Sequence, residues 1–406
     1  MTPTSMLDFD TAQHQLSQAG PAPSRQETVT LGQALGRVLA QTLHARFDAP
    51  PADNSAMDGY AIRAADYAQG KALRVQQRVF AGDEAAPLVP GQATRLFTGS
   101  LIPDGADTVV MQEHCNEADG QVTINTAPTP GQHVRRRGED IAEGAVLLEA
   151  GTVIGAAQVA ALASQGLHEV PVHARLRIGI LTTGDELVAP GQPRATQQIY
   201  NSNGPMLAAL VAGMGAEPAH VLHARDDAQD LDRALRTLLA DCDVVISVGG
   251  VSVGEKDLVK PALEALGGEL ALWKVRMKPG KPLALAQVQG KPVVCLPGNP
   301  VSAYAVFALM VTPLLRRMQG RAQVFPAIER GVLQTDKRYR DDREEFVRVQ
   351  SEADPAGTRR LRLYPQQGSG VLSSLPWAHG LARLPADTSL GNGDHVRYYD
   401  LKHWLA

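Results

Sequence analysis

The sequence contains few cysteines and no excess of positive charge. Its three cysteines, Cys115, Cys242 and Cys295, lie far apart and form no CxxC pair, which argues against a disulfide framework or a zinc site. Cys295 lies in the apolar run PVVCLP and is predicted to be a buried structural thiol. The formal charge of -4 at pH 7 gives no basic surface field, so nucleic-acid binding is not expected.

Membrane-directed segments are also missing from the sequence. The opening residues MTPTSMLDFDTAQHQL contain acids and glutamines where a signal peptide would need an apolar stretch. The run AYAVFALMVTPLL falls short of the ~20 apolar residues that span a bilayer. We therefore expect a soluble, cytoplasmic protein with no membrane segment.

The apolar pattern divides the 406 residues into several segments. Helical spacing occurs at 5–20, 31–43 and 155–166. Between about 72 and 140, short alternating runs separated by glycine and proline indicate a small β-rich module. The N-terminal part therefore combines helices with a β module.

The next segment, 177–326, has a different pattern. Its strands are mostly apolar on both faces and alternate with helical patterns, which predicts a largely parallel sheet covered by helices on both sides. Short strands return after Pro326 and indicate a separate small β domain. Neither GxxxxGKS nor GxxxxGKT occurs, and no GxGxxG follows the first strand of this segment. Ordinary ATPases and dinucleotide enzymes are thus poor candidates.

Three loops of the α/β segment carry residue types suited to anion binding. They are TTGDEL at 182–187, SVGGVSVGEKD at 247–257 and LPGNPVSA at 296–303. Each leaves a strand end, where open parallel sheets bind ligands. Glycine loops and helix starts such as Asn299-Pro300 also offer free N–H groups to phosphate. One such loop is often only a turn, but three on one sheet edge predict a phosphate or other anion site.

Lysines and acids accompany these loops. The stretch WKVRMKPGKP places Lys274, Lys278 and Lys281 at a stiff, proline-rich turn that suits an oxyanion, although a basic tip for solubility is the simpler alternative. Acids recur at loop positions, and either of two adjacent ones could instead cap the following helix. The acids are Asp58, Asp140, Glu186, the adjacent pair Asp226 and Asp227, and Asp257. Carboxylates and phosphate oxygens together bind Mg²⁺, so the combination suggests cleavage of a phosphoanhydride.

Eight segments in chain order carry a resemblance that covers nearly the whole sequence. They are NSAMDGYA, FTGSLIPDGADTVVMQE, RRRGEDI, TTGDEL, YNSNGPML, SVGGVSVGEKD, KPGKP and LPGNPVSA. In this order they resemble the MoeA family of molybdopterin molybdenumtransferases, which is related to the E-domain of gephyrin.

The resemblance implies a multidomain α/β plus β fold. Residues 1–46 and 141–176 would form an elongated helical domain, with a β-rich module at 47–140 inserted into it. Residues 177–326 would form the molybdopterin-binding α/β domain, and 327–406 a small barrel-like β domain. The resemblance also implies a homodimer whose cleft is shared between the α/β domain of one subunit and the inserted module of the other. Molybdopterin adenylyltransferase and cofactor-accepting enzymes would be its partners.

The resemblance further implies a reaction and a set of site residues. Molybdate would be inserted into adenylated molybdopterin with Mg²⁺, cleaving the pyrophosphate and releasing AMP. Glu186, Asp226 and Asp257 would hold the metal. The other catalytic residues implied are Asp58, Thr98, Asp140, Lys274, Lys278 and Lys281. The cofactor contacts implied are Gly249, Gly250, Ser252, Gly254, Pro297, Pro300, Arg135, Arg348 and Ser369.

Within this set, two ends of the site are expected. The metal ligands are assigned to the phosphate end. The molybdate or pterin end is assigned to Lys278, Lys281, Arg348 and Ser369. Arg343, in REEFVRV, competes with Arg348 for its role.

Two other functions are weighed against the insertase. Single-domain adenylyltransferases resemble the α/β segment but carry threonine-glycine after the GG, where this sequence has Val251-Ser252. A non-enzymatic, gephyrin-like scaffold would have no need to keep the acids and lysines together. Both comparisons favour metal insertion.

Overall fold

The computed structural model describes residues 6–250 and 258–406. It contains two compact units. The larger unit comprises residues up to Ala40, residues 150–155 and residues 169–406. The smaller unit comprises residues 41–149 and 156–168.

A six-stranded sheet forms the centre of the larger unit. Across the sheet, four strands pair in parallel, and two further strands are added at one edge through antiparallel pairings. The strand order is Glu217–Ala224, Arg177–Thr183, Val244–Val248, Lys291–Leu296, Ala284–Val288 and Glu269–Trp273. Every residue of Val244–Val248 is buried, because a central parallel strand is covered on both faces. The predicted α/β sheet is confirmed.

Helices and short strand pairs complete this unit. The helix Ala228–Asp241 begins after Asp227, whose carboxylate accepts hydrogen bonds from the N–H groups of Gln229 and Asp230 at 3.0 and 2.9 Å. Asp227 is therefore the helix cap, and Asp226 is not. The other helices are Phe9–Ser17, Leu31–Ala34, Asn203–Gly213, Val259–Ala265, Pro300–Val306, Thr312–Met318, Ser374–Trp377 and Leu401–Trp404. The strand pairs are Gln26–Thr30 with Glu169–His173, and Leu187–Val188 with Ile199–Tyr200.

The helix expected over 31–43 is much shorter than predicted. It ends at Ala34, Leu35 is 66% exposed, and Gly36 adopts a φ of 74°. A left-handed glycine is typical of a helix end. The chain beyond it forms β-bridges through Val38 and Leu39, so the apolar spacing there reflects contacts with other chain segments.

The most apolar helix of the larger unit lies in its core. Pro300–Val306 continues through the π-helical turn Phe307–Val311 into Thr312–Met318. The combined stretch Pro300–Met318 is long and apolar enough to cross a membrane, but 89% of its most apolar window is buried inside the fold. Its apolar residues belong to the same core as residues of the central sheet and the C-terminal segment.

The C-terminal residues form a second six-stranded sheet. Its order is Met277–Lys278, Glu344–Ala353, Arg359–Leu363, Glu329–Gln334, His395–Asp400 and Gly380–Leu384. The last strand also pairs with Glu344–Ala353, which closes the strands after the first into a ring. This closed sheet confirms the predicted barrel-like domain. Its remaining strand, Met277–Lys278, comes from the α/β segment and pairs in parallel with Glu344 and Glu345.

The smaller unit is built on a third six-stranded sheet. Its core includes Tyr60, Ile62, Leu73 and Val110. The strand order is Thr108–Met111, Gly59–Ile62, Gln92–Leu96, Ala72–Val79, Gln121–Ile124 and Cys115–Ala118. The unit also contains the pairs Leu43–His44 with Val146–Leu148 and Asn54–Ser55 with Val134–Arg135, the helix Ala156–Ser164, and the 3-10 turns Ala64–Asp66 and Gln112–His114.

Cys295 is expected to resist modification in the folded protein. It is fully buried, and burial raises the pKa of its thiol to about 11. Since the thiolate is the nucleophile, disulfide exchange with DTNB at neutral pH should be slower than for a free thiol by roughly two orders of magnitude. Peptide mapping after DTNB treatment, with and without denaturant, measures this. Rapid labelling of Cys295 without denaturant would contradict the burial.

Candidate functional site

A cleft of about 810 Å³ lies at the carboxyl ends of the central parallel strands. The loops that leave these four strands all contribute to its walls. Several of the residues predicted from the sequence line the cleft. They are Glu186, Asp226, Gly249, Gly250, Pro297 and Pro300. The parallel sheet thus brings together residues that are far apart in the chain.

Gly249 forms a part of the cleft wall where no side chain fits. Its φ is 96°, which an L-residue adopts only with strain. A Cβ atom at this position would lie 2.8 Å from Oγ1 and 3.0 Å from the carbonyl oxygen of Thr183. The backbone of the glycine loop therefore lies directly against the neighbouring strand end.

Two polar groups at the strand ends lack partners. Within the described residues, Thr183 Oγ1 and Asn203 Oδ1 are buried without a hydrogen-bond partner, and both residues line the cleft. The amide nitrogen of Asn203 donates to the carbonyl of Gly298 at 2.7 Å, which fixes this side chain. Buried polar atoms normally find partners, so these two unpaired atoms are exceptions that lie directly behind the cleft wall.

The two cleft acids suit a hard cation. In the described part of the chain, no base forms an ion pair with Glu186 or Asp226. The backbone N–H of Asp226 donates to Asp185 Oδ1 at 3.3 Å. Carboxylates without basic partners, beside a glycine loop, are a donor set that Mg²⁺ shares with phosphate oxygens. The residue types therefore suit a divalent cation, although the one close group of three metal-type ligands in the described residues lies elsewhere, at Glu329, Asp400 and His403.

Ser369 is attached to the start of the helix Pro300–Val306. Asn299 occupies the predicted N-cap position but makes no capping bond; its side-chain amide nitrogen donates to Ser369 Oγ at 3.1 Å. The N–H of Val301 donates to the Ser369 carbonyl at 3.2 Å. The next residue, Gly370, lines the cleft. The closed-sheet segment is thereby held at the edge of the cleft.

Arg348 does not offer its guanidinium to the cleft. The residue is 1% exposed, and its Nε donates to Ser374 Oγ at 3.0 Å. Its other nitrogens donate to the carbonyl oxygens of Gln366, Gln367 and Gly368 at 3.1, 2.9 and 3.1 Å. The expected direct contact with molybdate or pterin is therefore corrected, since these donors hold the segment that leads to Ser369.

The lysine turn is tied to the closed sheet by ion pairs. Lys278 Nζ lies 2.9 Å from Asp341 Oδ2 and 3.1 Å from Glu345 Oε1. Arg343, the competitor of Arg348, also contacts Asp341, with Nε 3.3 Å from Oδ1. Asp341 is thus shared by two cations, and Lys278 is not a free oxyanion donor.

The other two lysines of the turn differ from Lys278. Lys281 is exposed, and its ammonium has no partner among the described residues. The residue that follows it, Pro282, lines the cleft. Lys274 has a φ of 66°, and its backbone bonds to Leu7 and Leu283. Lys281 is therefore the lysine of this turn best placed to meet an anion in the cleft.

Replacing Asp341 by asparagine is expected to destabilise the protein by about 1–2 kcal/mol at neutral pH. Burial alone would raise the pKa of Asp341, but hydrogen bonds, foremost that from Lys278, lower it to about 2. Because the folded-state pKa is lowered, the ionised carboxylate stabilises the protein at pH values above the unfolded-state pKa of ~3.9. This stabilisation is lost as the pH falls towards the folded-state pKa. Urea unfolding at neutral pH and near pH ~3 should show the difference from wild type shrinking at the lower pH.

The matched control is Asp342→Asn. The Asp342 side chain is 76% exposed, and its ion-pair contact with Arg343 Nε is long, at 3.6 Å, so removal of its charge should change the stability by less than about 0.5 kcal/mol. Equal losses for the two variants would show that the ion pair with Lys278 is unimportant.

The smaller unit contains the predicted residues Asp58, Thr98, Arg135 and Asp140. Asp58 Oδ1 accepts hydrogen bonds from the N–H and the hydroxyl of Thr98, both at 2.8 Å, and the backbone bond is the main cause of its lowered pKa. Arg135 is exposed on the strand that pairs with Asn54–Ser55. Asp140 is exposed, and its N–H donates to the carbonyl of residue 49 at 3.0 Å.

Three predicted residues, Ser252, Gly254 and Asp257, lie outside the described residues. Conversely, sequence reasoning did not single out Thr183, Asn203 or the acids that hold Lys278. Thr183 and Asn203 do lie inside the quoted segments TTGDEL and YNSNGPML. A strand pairing between distant segments brings Glu345 to Lys278, and Asp341 lies just before the same strand, so only that pairing reveals the two acids.

The sequence matches three family models in succession. These are the MoeA N-terminal region (domain I and II) over residues 7–166, a probable molybdopterin binding domain over 179–317, and the MoeA C-terminal region (domain IV) over 330–401. A molybdopterin molybdenumtransferase from Haemophilus influenzae is 38% identical over 320 residues, which cover 78% of this chain and 79% of that protein. The chain belongs to the MoeA family.

Two further comparisons agree with membership of the MoeA family. A molybdopterin molybdenumtransferase from Nostoc sp. is 39% identical over 381 residues, covering 91% of this chain and 87% of that protein. The crystal structure of a molybdopterin biosynthesis moeA protein from Pyrococcus horikoshii superposes with a TM-score of 0.84 at 30% identity, covering 97% of this chain and 100% of that one. This MoeA-family protein is a molybdotransferase of molybdenum cofactor biosynthesis.

Proposed function

We propose that this MoeA-family protein inserts molybdate into adenylated molybdopterin, with Mg²⁺-dependent cleavage of the pyrophosphate and release of AMP. The observation that carries the proposal is the cleft in which unpaired carboxylates accompany a glycine loop at the ends of parallel strands. A pyrophosphate and a divalent cation together match that combination of groups.

Each part of the cleft has a role in this proposal. The backbone at Gly249 and Gly250 would approach the phosphate oxygens, because glycine leaves the loop without side chains. Glu186 and Asp226 would hold Mg²⁺, which when bound offsets the charge that develops on the phosphate oxygens. Lys281 attracts molybdate at the other end. Lys278 is kept in place by its two acidic partners and supports the turn that presents Lys281.

Arg348 acts in this proposal through Ser369. By holding the carbonyls of residues 366–368, it fixes the segment from which the Ser369 hydroxyl reaches Asn299. The predicted homodimer, its partner enzymes and the cytoplasmic location stay predictions.

The test is AMP release from adenylated molybdopterin by the purified protein, with molybdate and Mg²⁺ each added or omitted. Release that requires both supports the proposal. Binding of the adenylate without molybdate-stimulated release would instead favour a carrier or scaffold. Formation of the adenylate from ATP and molybdopterin would favour the adenylyltransferase.

A further inference from the structure

A second cavity, of about 480 Å³, lies on the closed sheet beside the N-terminal helix Phe9–Ser17. Its volume is within the ~300–1,000 Å³ of small-molecule sites. None of its described lining residues also lines the cleft. We call it the arginine pocket, and its charged and titratable lining residues are Arg330, Arg383, Arg397, His395, Asp10 and Glu344.

Strand pairing sets the three arginines of the pocket in a row. Arg397 pairs directly with Arg330 on one side and with Arg383 on the other, so the three side chains share a face of the sheet. This face is opposite to the core of the closed sheet, because Val396 and Tyr398, the neighbours of Arg397, belong to that core. Like charges directly opposite each other destabilise a sheet, so the row concentrates positive charge that strand pairing alone would disfavour.

The two acids of the pocket both bind the buried arginine of the row. Arg383 is 7% exposed, and its Nη1 and Nη2 donate to Asp10 Oδ1 and Oδ2 at 2.7 and 2.9 Å. Its Nε donates to Glu344 Oε2 at 2.6 Å. Both carboxylates are therefore engaged with Arg383, and the charges of the other two arginines are not balanced by them.

Arg330 and Arg397 are exposed and form no ion pair with any described residue. Arg360, on another strand of the same sheet, does have an acidic partner, with Nε 2.9 Å from Asp354 Oδ2. His395, two residues before Arg397 and therefore on the same face, adds an imidazole to the wall of the pocket. A guanidinium presents its N–H donors in a rigid fork that matches phosphate oxygens. The pocket thus combines unused donors with a net positive charge in a concave site.

We propose that the arginine pocket binds a phosphate group, held between the guanidiniums of Arg330 and Arg397, with His395 as a third donor. Phosphate is favoured over a single carboxylate because the two arginines stand directly opposite each other on paired strands, and a doubly charged tetrahedral group can accept hydrogen bonds from both. The site is separate from the cleft, and this inference does not depend on the proposed function.

The test uses the full chain and follows thermal unfolding across a series of inorganic phosphate concentrations, at an ionic strength held constant with sodium chloride. A ligand that binds the folded state raises the melting temperature, so the series gives an apparent Kd. Arg330→Gln and Arg397→Gln should each raise that Kd about 10-fold. Neither should lower the melting temperature of the phosphate-free protein, since each removes a like-charge contact. The matched control Arg338→Gln removes an exposed arginine outside the pocket and should change the Kd less than about twofold.

A parallel series in glycerol 3-phosphate identifies the source of the phosphate group. Tighter binding than that of inorganic phosphate supports a phosphorylated small molecule, for which the cavity has room, and weaker binding supports the free ion. Either order supports the site when Arg397→Gln weakens the binding.

Four results would overturn the proposal. The first is a wild-type protein that phosphate stabilises no more than chloride does, and the second is an unchanged Kd in both pocket variants. The third is an equal loss in Arg338→Gln, which would make general surface charge responsible. The fourth is a loss confined to Gly249→Ala, which would place the phosphate in the cleft. Molybdate-dependent AMP release should not change in the two pocket variants, so failure of the proposed function is distinguishable from failure of this site.

Discussion

Asp226→Asn is expected to reduce molybdate-dependent AMP release by about 100-fold or more. Asp226 lines the cleft, and its carboxylate has no basic partner in the described residues. Removal of its charge weakens the hold on a divalent cation, and the carboxamide cannot replace that charge. The rate should recover in part at higher Mg²⁺ concentration, because the remaining ligands still bind the ion. Initial rates across a Mg²⁺ series, with and without molybdate, measure both effects.

Asp227→Asn is the matched control for this variant. It makes the same change of charge at the neighbouring position, the N-cap of the helix Ala228–Asp241. Asparagine caps a helix as well as aspartate does, so stability and AMP release should both stay close to wild type. Asp227→Ala should lower the stability by about 1 kcal/mol without changing the Mg²⁺ dependence. Equal loss of activity in Asp226→Asn and Asp227→Asn would mean that general charge, and not the position in the cleft, is responsible.

Gly249→Ala is expected to weaken binding of the adenylated substrate by about 10-fold or more and to lower the melting temperature. The new Cβ meets both a strained φ of 96° and the backbone carbonyl of Thr183 at 3.0 Å. Strain of this kind costs about 1–3 kcal/mol, and the glycine loop must move away from the strand end to relieve the contact. AMP binding by calorimetry and thermal unfolding follow the two consequences separately.

The control Gly267→Ala separates the effect of backbone strain from the effect of the contact with Thr183. Gly267 has a φ of 79°, but a Cβ there would meet nothing within 4 Å. It should therefore lose about 1 kcal/mol of stability through backbone strain and keep its affinity for AMP. If Gly267→Ala impairs AMP binding as much as Gly249→Ala does, the close approach to Thr183 is not what matters.

The sequence predicts those features that follow from local pattern. The apolar strands after Arg177 and the short strands after Pro326 indicate the α/β sheet and the closed sheet, because strand periodicity is a local property. Glu186, Asp226 and Gly249 meet in one cleft because strand ends of a parallel sheet lie on one edge. Their common location is therefore predictable without distances.

Features that depend on distant contacts are not predictable in this way. The sequence favours Arg348 with Arg343 as its competitor, and only the carbonyl groups of residues 366–368 reveal that Arg348 is enclosed. Lys278 resembles Lys281 until the parallel pairing with the strand Glu344–Ala353 brings an acid to its ammonium. The register of strands that are far apart in sequence fixes both outcomes.

The strand Met277–Lys278 makes the closed sheet inseparable from the rest of the larger unit. It leaves the α/β segment, joins the other sheet and returns. The aromatic residues Phe346, Tyr399 and Trp404 of the C-terminal segment share one core with Phe307 of the long helix. Truncation after residue 326 would thus expose an apolar interface instead of leaving an independent fragment. Although the family models divide the chain near this boundary, the two parts should melt in a single cooperative transition and should not be exchangeable as modules between relatives.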